Sequence, residues 1–260
     1  MELTALTTYI KIGEIQSIRC PYLWINSVRY QPLSRYEIRL ADVTDEAYQA
    51  IKKDDPVTIQ IGYRNQQHAV WTGFVAKVSK NFGNVVVKVT GFEKPLVDTI
   101  IKENINNESA QAIVKFIINQ TRLPVGIIDD PGVVLPFYIA SSIPAWAAVE
   151  QVKQTCINSF KLNLSHWALW VSRDGKVNFG DFVEPEDIPY FNTGNGIIKN
   201  KSVKGRKLNC LETFILPGFS HSMEFELDDR RCGVKGVFMA DEVVHIVDNA
   251  KARTFIYYEE

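Results

Sequence analysis

Hydrophobic residues recur at every second position in the first hundred residues, in short runs separated by turn-forming residues. In residues 57–62 (VTIQIG) the apolar side chains occupy odd positions, directly after the turn-forming segment DDP at residues 54–56. Residues 34–40 form a similar run, with Tyr36 and Leu40 on the same side. Such alternation is typical of antiparallel strands that bury one face, and Pro is tolerated at a strand entrance.

A hairpin is predicted next, because residues 69–80 and 84–90 alternate in the same way and flank the segment NFGN at residues 81–84. Gly73 lies inside the first of these runs. A bulge or bend at this glycine would help the sheet to close on itself. The pattern therefore predicts a small antiparallel barrel over residues 1–104.

The periodicity changes at Asn104, after which helical spacing replaces alternation. Residues 106–109 (NNES) supply capping side chains and an acidic residue, both of which favour a helix start. The predicted helix ends at Leu123, because the residue before Pro124 is driven out of the helical region. Its apolar positions follow one face: Ala112, Ile113, Phe116 and Ile117.

A second helix is predicted after a loop rich in Pro and Gly, with Ser142 as its cap and Pro144 in its first turn. Its apolar stripe runs from Trp146 to Cys156. The dipeptide Asp-Gly at residues 174–175 then separates two apolar runs, which is typical of a hairpin. The apolar runs are residues 162–171 and 176–182. The sequence thus predicts an α+β insert over residues 105–195.

The last part of the chain returns to short strands. The predicted strands are residues 210–216, 223–227, 237–247 and 254–258. These strands predict a second small barrel over residues 196–260. The predicted fold class is therefore mostly β, with two small antiparallel β-barrel domains bracketing a helix-containing middle domain.

Composition narrows the class of protein. The 260 residues are 46% hydrophobic, which is enough for a sizeable core, and the net charge of -1 gives no general attraction to nucleic acid or anionic membranes. The first residues, MELT, do not begin a secretory signal, and no apolar run reaches the roughly 18–20 residues of a membrane span. We therefore expect folding in the cytoplasm without membrane anchoring.

The residues that could perform chemistry are scattered. The four cysteines are never paired as Cys-x-x-Cys, and we expect all of them to be reduced and mostly buried. The four histidines lack metal-ligand spacing. Cys156 with His166 as base is the sharpest enzymatic hypothesis, but Cys156 lies on the apolar stripe of its helix. We expect no enzyme activity, no catalytic or metal site and no cofactor.

Two groups of residues are candidates for an interface. A basic cluster near residue 200 favours either a solvated segment between domains or contact with an acidic partner or passing DNA. Trp146, Trp167 and Trp170 favour core packing or subunit contact, with a carbohydrate platform as the alternative. Trp71, Trp167 and Trp170 are selected as interface candidates. From the basic cluster, which comprises Lys199, Lys201, Lys204, Arg206 and Lys207, we select Lys201, Lys204 and Arg206 as interface candidates.

Several stretches resemble a known family. DDPVTIQIGY at residues 54–63, VWTGFV at 70–75, VVVKVTGF at 85–92 and LVDT at 96–99 resemble the N-terminal barrel of tail hub proteins. These are the hubs of contractile phages, of the late-control D type, and of related injection systems. Residues 223–258, including GVFMADEVVH and RTFIY, resemble the second barrel of the same family.

The resemblance implies a structural subunit that forms a homotrimer, a pseudo-six-fold ring between the tail tube protein and the central spike protein. DNA or an effector would be only passing cargo. The protein would fold in the host bacterial cytoplasm and then assemble into a virion tail or an injection-system baseplate. Two other hypotheses stay open: a carbohydrate- or receptor-binding module at a tail tip, and a cell-wall hydrolase.

Overall fold

The computed structural model describes residues 6–17, 20–63, 69–81, 84–172, 174–181, 188–205, 208–249 and 251–259. The elements of the first part are the strands β1 (Leu6–Ile12), β2 (Ile15–Ser17), β3 (Tyr22–Val28) and β4 (Arg35–Ala41), the helix α1 (Asp45–Ala50), and the strands β5 (Pro56–Tyr63), β6 (Ala69–Asn81) and β7 (Asn84–Gly91). The strand predicted from alternation over residues 57–62 is confirmed as part of β5, in which every inward side chain is buried.

The middle part mixes helices and strands. Its elements are α2 (Pro95–Asp98), β8 (Ile100–Ser109), α3 (Ala110–Gln120), β9 (Val125–Ile128), β10 (Val134–Pro144), α4 (Ala145–Phe160), β11 (Ala168–Val171) and β12 (Val177–Gly180). The last part is again all strand. Its elements are β13 (Tyr190–Asn192), β14 (Ile197–Ser202), β15 (Asn209–Phe214), β16 (Glu224–Asp229), β17 (Val234–Met239), β18 (Glu242–Asp248) and β19 (Ala252–Tyr258). The class predicted from the sequence, mostly β with an α+β insert, is confirmed.

The chain forms two compact units. Unit 1 comprises residues 1–28, 33–92 and 185–260, and unit 2 comprises residues 29–32 and 93–184. The division into three domains at residues 104 and 195 stays a prediction. None of the helices in the described ranges is both long and apolar enough to cross a membrane.

Unit 1 is built on one eleven-stranded sheet in the order β14-β15-β19-β18-β3-β4-β7-β6-β5-β1-β2. Its two halves come from opposite ends of the sequence and meet where β3 pairs antiparallel with β18, from Tyr22 opposite Asp248 to Val28 opposite Glu242. Beside this ladder, Asn26 Nδ2 donates to Glu242 Oε1 at 2.6 Å. The terminal parts of the chain therefore fold as a single sheet.

The two separate closed barrels expected from the sequence are not confirmed. Among the described residues the large sheet is open, since β14 and β2 at its two ends are not paired with each other. The physical reason lies in β3 and β18, because each strand already has a local neighbour, β4 or β19, and uses its other edge for the opposite half of the sheet. Alternation predicts which face of a strand is buried but does not predict which strand lies beside it.

Two hydrophobic clusters lie against the inward face of the large sheet. The first is centred on β3, β4, β5 and β7, where Leu23, Ile38 and Ile59 have no exposed surface. The second lies between the large sheet and a three-stranded sheet of order β13-β16-β17, with Phe225 at its centre. Phe225 contacts Tyr258 edge to face, with ring centroids 5.3 Å apart. The C-terminal half of unit 1 is thus a two-layered sandwich.

A buried polar network contacts both clusters. His245 on β18 is 1% exposed, and its Nε2 lies 2.8 Å from the carbonyl oxygen of Phe219. A carbonyl only accepts, so Nε2 carries the proton and Nδ1 accepts from the Thr254 hydroxyl at 2.9 Å. Thr254 Oγ1 in turn accepts from the Leu216 amide at 2.9 Å. This His245 network holds the loop between β15 and β16 against the sheet, and Tyr63 donates to the Ile215 carbonyl of the same loop at 3.2 Å.

Unit 2 packs its two longer helices against strands. α3 begins after Ser109, whose hydroxyl accepts from the Ala112 amide, so the predicted cap is confirmed. The preceding residues 106–108 belong to β8, which pairs with β10 as a two-stranded ribbon, the β8–β10 ribbon. β11, β12 and β9 form a separate three-stranded sheet, in which β9 runs parallel to β12.

Three boundaries predicted from the sequence are wrong. α4 begins at Ala145 behind Pro144, whereas Ser142 has φ of 58° within β10 and does not cap the helix. The strand predicted over residues 162–171 begins only at Ala168. The strand predicted over residues 237–247 is divided between β17 and β18, which lie in different sheets.

The division of that last strand has a geometric cause. Ala240 and Asp241 carry the chain from the small sheet to the large one, with the Ala240 amide bonded to Met223 and the Asp241 amide bonded to Tyr257. Both sheets bury apolar residues against the same cluster, which includes Val234 and Val243. Both halves of the predicted strand therefore have the composition of a buried strand. The apolar pattern consequently shows no break where the chain crosses from one sheet to the other.

Gly73 is required for close packing and not for a bulge. It pairs regularly with Val57 and Gly91, and the irregularity of β6 lies between Val75 and Lys77. A Cβ added at Gly73 would lie 2.3 Å from the carbonyl oxygen of Thr90. The predicted bend is therefore displaced along the strand, and Gly73 permits the close approach of two backbones.

Replacement of Gly73 by Ala is expected to lower the free energy of unfolding by about 1–3 kcal/mol, because the new methyl group meets a backbone atom that cannot move away. Gly236→Ala is the matched control, since its Cβ would meet the end of the Phe238 ring at 3.3 Å. We expect Gly236→Ala to change stability by less than about 1 kcal/mol. Urea unfolding followed by circular dichroism measures both, and equal stabilities of the two variants would contradict the steric argument.

The stability of the protein is expected to fall on mild acidification because of His245. Burial lowers its pKa to about 4, although the bond to the Phe219 carbonyl acts in the opposite direction. An unfolded histidine has a pKa of about 6.5, so the unfolded chain binds a proton that the folded chain excludes, and about 3 kcal/mol is lost as the pH falls from about 6.5 to about 4.

The measurement is denaturant unfolding at several pH values between 7 and 4, for the wild type and for His245→Gln, which retains a donor for the Phe219 carbonyl but does not titrate. The difference in stability between the two proteins should shrink across this window. A difference that is constant from pH 7 to pH 4 would show that His245 is not excluded from protonation.

Candidate assembly interface

The two ends of the large sheet are edge strands of different character. Within the described ranges, β14 pairs only with β15, and β2 pairs only with β1. β2 is three residues long, whereas β14 has six residues and carries Lys199 and Lys201. Short length and outward lysines are the means by which proteins restrict pairing at open edges. These edges can therefore pair with a specific partner strand without promoting unspecific aggregation.

β14 directs its lysines away from the core. Asn200, between them, accepts from the Tyr258 hydroxyl at 3.1 Å, and Tyr258 is fully buried. Because side chains alternate along a strand, Lys199 and Lys201 lie on the outer face. Both are exposed, as is Lys204 beyond the end of the strand. Two of the five residues of the predicted basic cluster thus lie on an edge strand, and Arg206 and Lys207 lie outside the described residues.

Trp71 is directed inward and not toward solvent. It lies on the same face of β6 as the buried Val75 and is itself half-buried. Its ring contacts His245 edge to face, with centroids 5.4 Å apart. Trp71 therefore contributes to packing beside the His245 network.

Trp170 is buried in unit 2, where it covers a buried cation. Its side chain is 2% exposed, and the guanidinium of Arg29 lies 5.6 Å from its ring centroid. Arg29 has no exposed surface, and its Nη2 donates to the Gly180 carbonyl at 3.3 Å. Enclosure of an arginine against a tryptophan face is a favourable cation–π arrangement. Trp170 is therefore unavailable for stacking against a sugar.

Trp167 is half-buried and lies outside the strand that follows it. Its ring contacts Phe179 edge to face at 5.5 Å between centroids. Its carbonyl oxygen accepts from Lys153 Nζ at 2.5 Å, and Glu150 Oε2 lies 4.0 Å from the same nitrogen. These two groups stabilise the charge of this lysine. The structure consequently does not place Trp167 and Trp170 on one exposed aromatic surface.

Sequence reasoning missed an apolar surface on the β8–β10 ribbon. Phe137 is 67% exposed and Ile139 is 51% exposed, while Tyr138 between them is buried and donates to the Ala148 carbonyl at 3.0 Å. The sequence predicts a Pro- and Gly-rich loop where the structure has β10. The run FYI at residues 137–139 combines side chains of high strand propensity and was the signal for β10.

The structure does not assemble the chemistry considered for Cys156. This thiol is 1% exposed on α4, and burial raises its pKa, which disfavours the reactive thiolate. His166 is exposed. The described part of the chain contains no group of three or more His, Cys, Asp or Glu side chains that could hold a metal ion.

Each of two pairs of adjacent acids, residues 54–55 and 228–229, contributes a carboxylate to a turn. Asp55 Oδ2 accepts from the Lys52 amide at 2.7 Å. Asp229 is buried at the turn between β16 and β17, and its Oδ1 accepts from Arg231 Nε and from Thr193 Oγ1, each at 3.1 Å. Burial alone would raise the pKa of Asp229, but these hydrogen bonds hold it below its ordinary value. Both carboxylates therefore stabilise local backbone geometry.

Comparison with known proteins identifies the fold. No family model matches the chain, and no curated protein sequence matches it. Among solved structures, the 43 kDa tail protein of prophage MuSo2 from Shewanella oneidensis matches with a TM-score of 0.70 over 98% of this chain and 96% of that chain, at 11% identity. The tail protein from Neisseria meningitidis MC58 matches with a TM-score of 0.67 over the same shares, at 10% identity. This chain has the fold of phage tail proteins.

A third similar structure comes from a secretion machine. The Escherichia coli c3393 protein, a component of the type VI secretion system with structural similarity to the T4 tail proteins gp27 and gp5, matches with a TM-score of 0.60. The match covers 96% of this chain and 76% of that chain at 10% identity. The fold is thus shared by phage tail proteins and a component of a bacterial secretion system, whereas the late-control D hub expected from the strand motifs stays a prediction.

Thiol reactivity is expected to follow exposure and pKa. Cys232 is exposed, Cys20 is half-buried, and Cys156 and Cys210 are buried. We expect N-ethylmaleimide to modify Cys232 first and the two buried thiols only after unfolding. Burial raises the pKa of Cys20 to about 11 against the effect of its bonds to the Tyr22 and Arg39 carbonyls, so its modification should accelerate as the pH approaches that value.

Intact-mass and peptide-mass measurements follow the modification, and Cys232→Ser serves as the control that removes the fast phase. Fast modification of native Cys156 in the Cys232→Ser variant would contradict the assignment of Cys156 as a packing residue.

Proposed function

We propose that this chain is a structural subunit of a phage-type tail or baseplate hub, a trimeric ring that connects the tail tube to the central spike. The observation that carries the proposal is the fold of phage tail proteins combined with one open sheet that ends in two different edge strands, β14 and β2. Different edges on one chain permit head-to-tail contacts between copies, and such contacts close into a ring when the rotation allows.

The two halves of the sheet support a pseudo-six-fold character for the proposed ring. Each chain contributes β1 to β7 from its N-terminal part and β14, β15, β18 and β19 from its C-terminal part, joined through β3 and β18. Three chains would therefore present six such halves around an axis. This arrangement suits an adaptor between a six-fold tube and a three-fold spike.

The role requires no catalytic step. The buried Cys156 and the acids bound at turns are all accounted for by packing and local hydrogen bonds. A net charge of -1 suits a wall that must let DNA or an effector pass without binding it tightly. The partners of the hub are its own copies, the tail tube protein and the central spike protein, and assembly follows folding in the host cytoplasm.

Light scattering of the purified chain after size exclusion tests the ring. We expect a mass three times that of one chain and, by electron microscopy, a ring with three-fold symmetry and six similar lobes. A chain that remains monomeric up to its solubility limit would contradict the proposal. Retention of tail tube protein from the same genome, with lysozyme as the unrelated control, tests the position of the ring in the assembly.

A further inference from the structure

The small sheet of unit 1 exposes an unusual outer face. Phe225 and Leu227 on β16 are directed into the core, so Glu224 and Glu226 are directed away from it. The register places Tyr190 beside Glu226 on one side and Val237 beside it on the other. We call the surface formed by Glu224, Glu226 and their apolar neighbours the acidic face.

Exposed apolar side chains flank the acids. Tyr190 is 48% exposed, Val237 is 56% exposed and Ile188, just before β13, is 47% exposed. Grouped exposed apolar side chains are typical of surfaces that bind another protein, since their contact with water is unfavourable. Among the described residues neither Glu224 nor Glu226 forms an ion pair, whereas the adjacent Asp228 contacts Lys235 Nζ at 3.5 Å.

β14 carries the complementary charges. Lys199 and Lys201 lie on its outer face, exposed, and neither forms an ion pair within the part of the chain that the structure describes. The two lysines are two residues apart on one strand, as are Glu224 and Glu226 on β16. Alternate residues of a strand are about 7 Å apart, so both pairs have the same spacing and can match simultaneously.

The two surfaces belong to opposite layers of the sandwich. The acidic face is the outer side of the β13-β16-β17 sheet, and the lysines are on the outer side of β14 in the large sheet, with the cluster around Phe225 between the layers. The lysines of one chain are therefore directed away from its own acidic face. A second copy can supply the missing partner for each surface.

We propose that the acidic face binds the β14 strand of a second copy of this chain, with Glu224 opposite Lys199 and Glu226 opposite Lys201. This inference rests on the proposed self-assembly and names the surfaces that carry it. Because the two surfaces are different patches of one chain, the contact is head-to-tail, and each copy uses one surface for each of its two neighbours. The charges determine the register, and Tyr190 and Val237 supply the apolar burial around them.

Charge reversal on the full-length chain tests the inference. Glu226→Lys and Lys201→Glu are each expected to weaken self-association at least tenfold in sedimentation velocity, because each places like charges opposite one another. The double variant, which carries both changes in every copy, should recover most of the lost affinity, since opposite charges face each other again. Higher salt should also weaken the wild-type assembly, because salt screens the attraction between the glutamates and the lysines.

Lys88→Glu and Glu103→Lys are the matched controls, because both residues are exposed on other strands and the same charge changes are made there. They should leave self-association unchanged, and thermal melts confirm that all variants are folded. If the wild type assembles but Glu226→Lys and Lys201→Glu assemble equally well, or the double variant recovers nothing, the named surfaces are wrong while the ring stands. If the wild type does not assemble at all, the inference and the ring are both wrong.

Discussion

The pairing of β3 with β18 is the contact on which the rest of unit 1 depends. It joins residues that are 216 positions apart, as the bond between Asn26 and Glu242 shows. Closing a loop of that length costs roughly 5 kcal/mol of chain entropy, so the ladder cannot form early on its own account. It becomes favourable once the clusters on both sides of it bury their apolar surface, and folding of this topology is expected to be slow.

His245 lies on the inward face of β18 and shows how the two clusters are fitted together. The neutral imidazole can be buried because both of its nitrogens form hydrogen bonds, one with the Phe219 carbonyl and one with the Thr254 hydroxyl. This arrangement makes the stability of the protein sensitive to acid. Protonation of His245 would place a proton on Nδ1, which then could no longer accept from the Thr254 hydroxyl. The network thus links the loop after β15 to the sheet at neutral pH.

Within the described residues, the open sheet leaves strand edges that are suited to contact with other polypeptides. A closed barrel would have no free edges, whereas this sheet retains β14 and β2, and the β8–β10 ribbon of unit 2 retains an apolar surface at Phe137 and Ile139. Ser109 caps α3, Asp229 stabilises a turn, and His245 belongs to a buried network. The surfaces left over are strand edges and sheet faces, which recognise other polypeptides through backbone pairing and side-chain complementarity.

Local signals in the sequence predicted much of the secondary structure. Alternation identified β5, β6 and β7, and helical spacing identified α3 and α4. Of residues 106–109, which were expected to supply the cap of α3, Ser109 does so, because capping depends only on residues within one turn. β10 was missed because Pro and Gly around it resembled a loop. The Arg29–Trp170 contact could not be foreseen, because the two residues are brought together only by the folding of unit 2.

The sequence by itself determined which side chains are buried along elements such as β5 and α3, since hydrophobic periodicity acts over a few residues. Only the tertiary structure decided that the two terminal parts form one open sheet, that residues 237–247 cross between two sheets, and that Trp170 covers a buried arginine. Each of these outcomes depends on contacts between residues that are far apart in the sequence. A local pattern of hydrophobic residues does not specify such contacts.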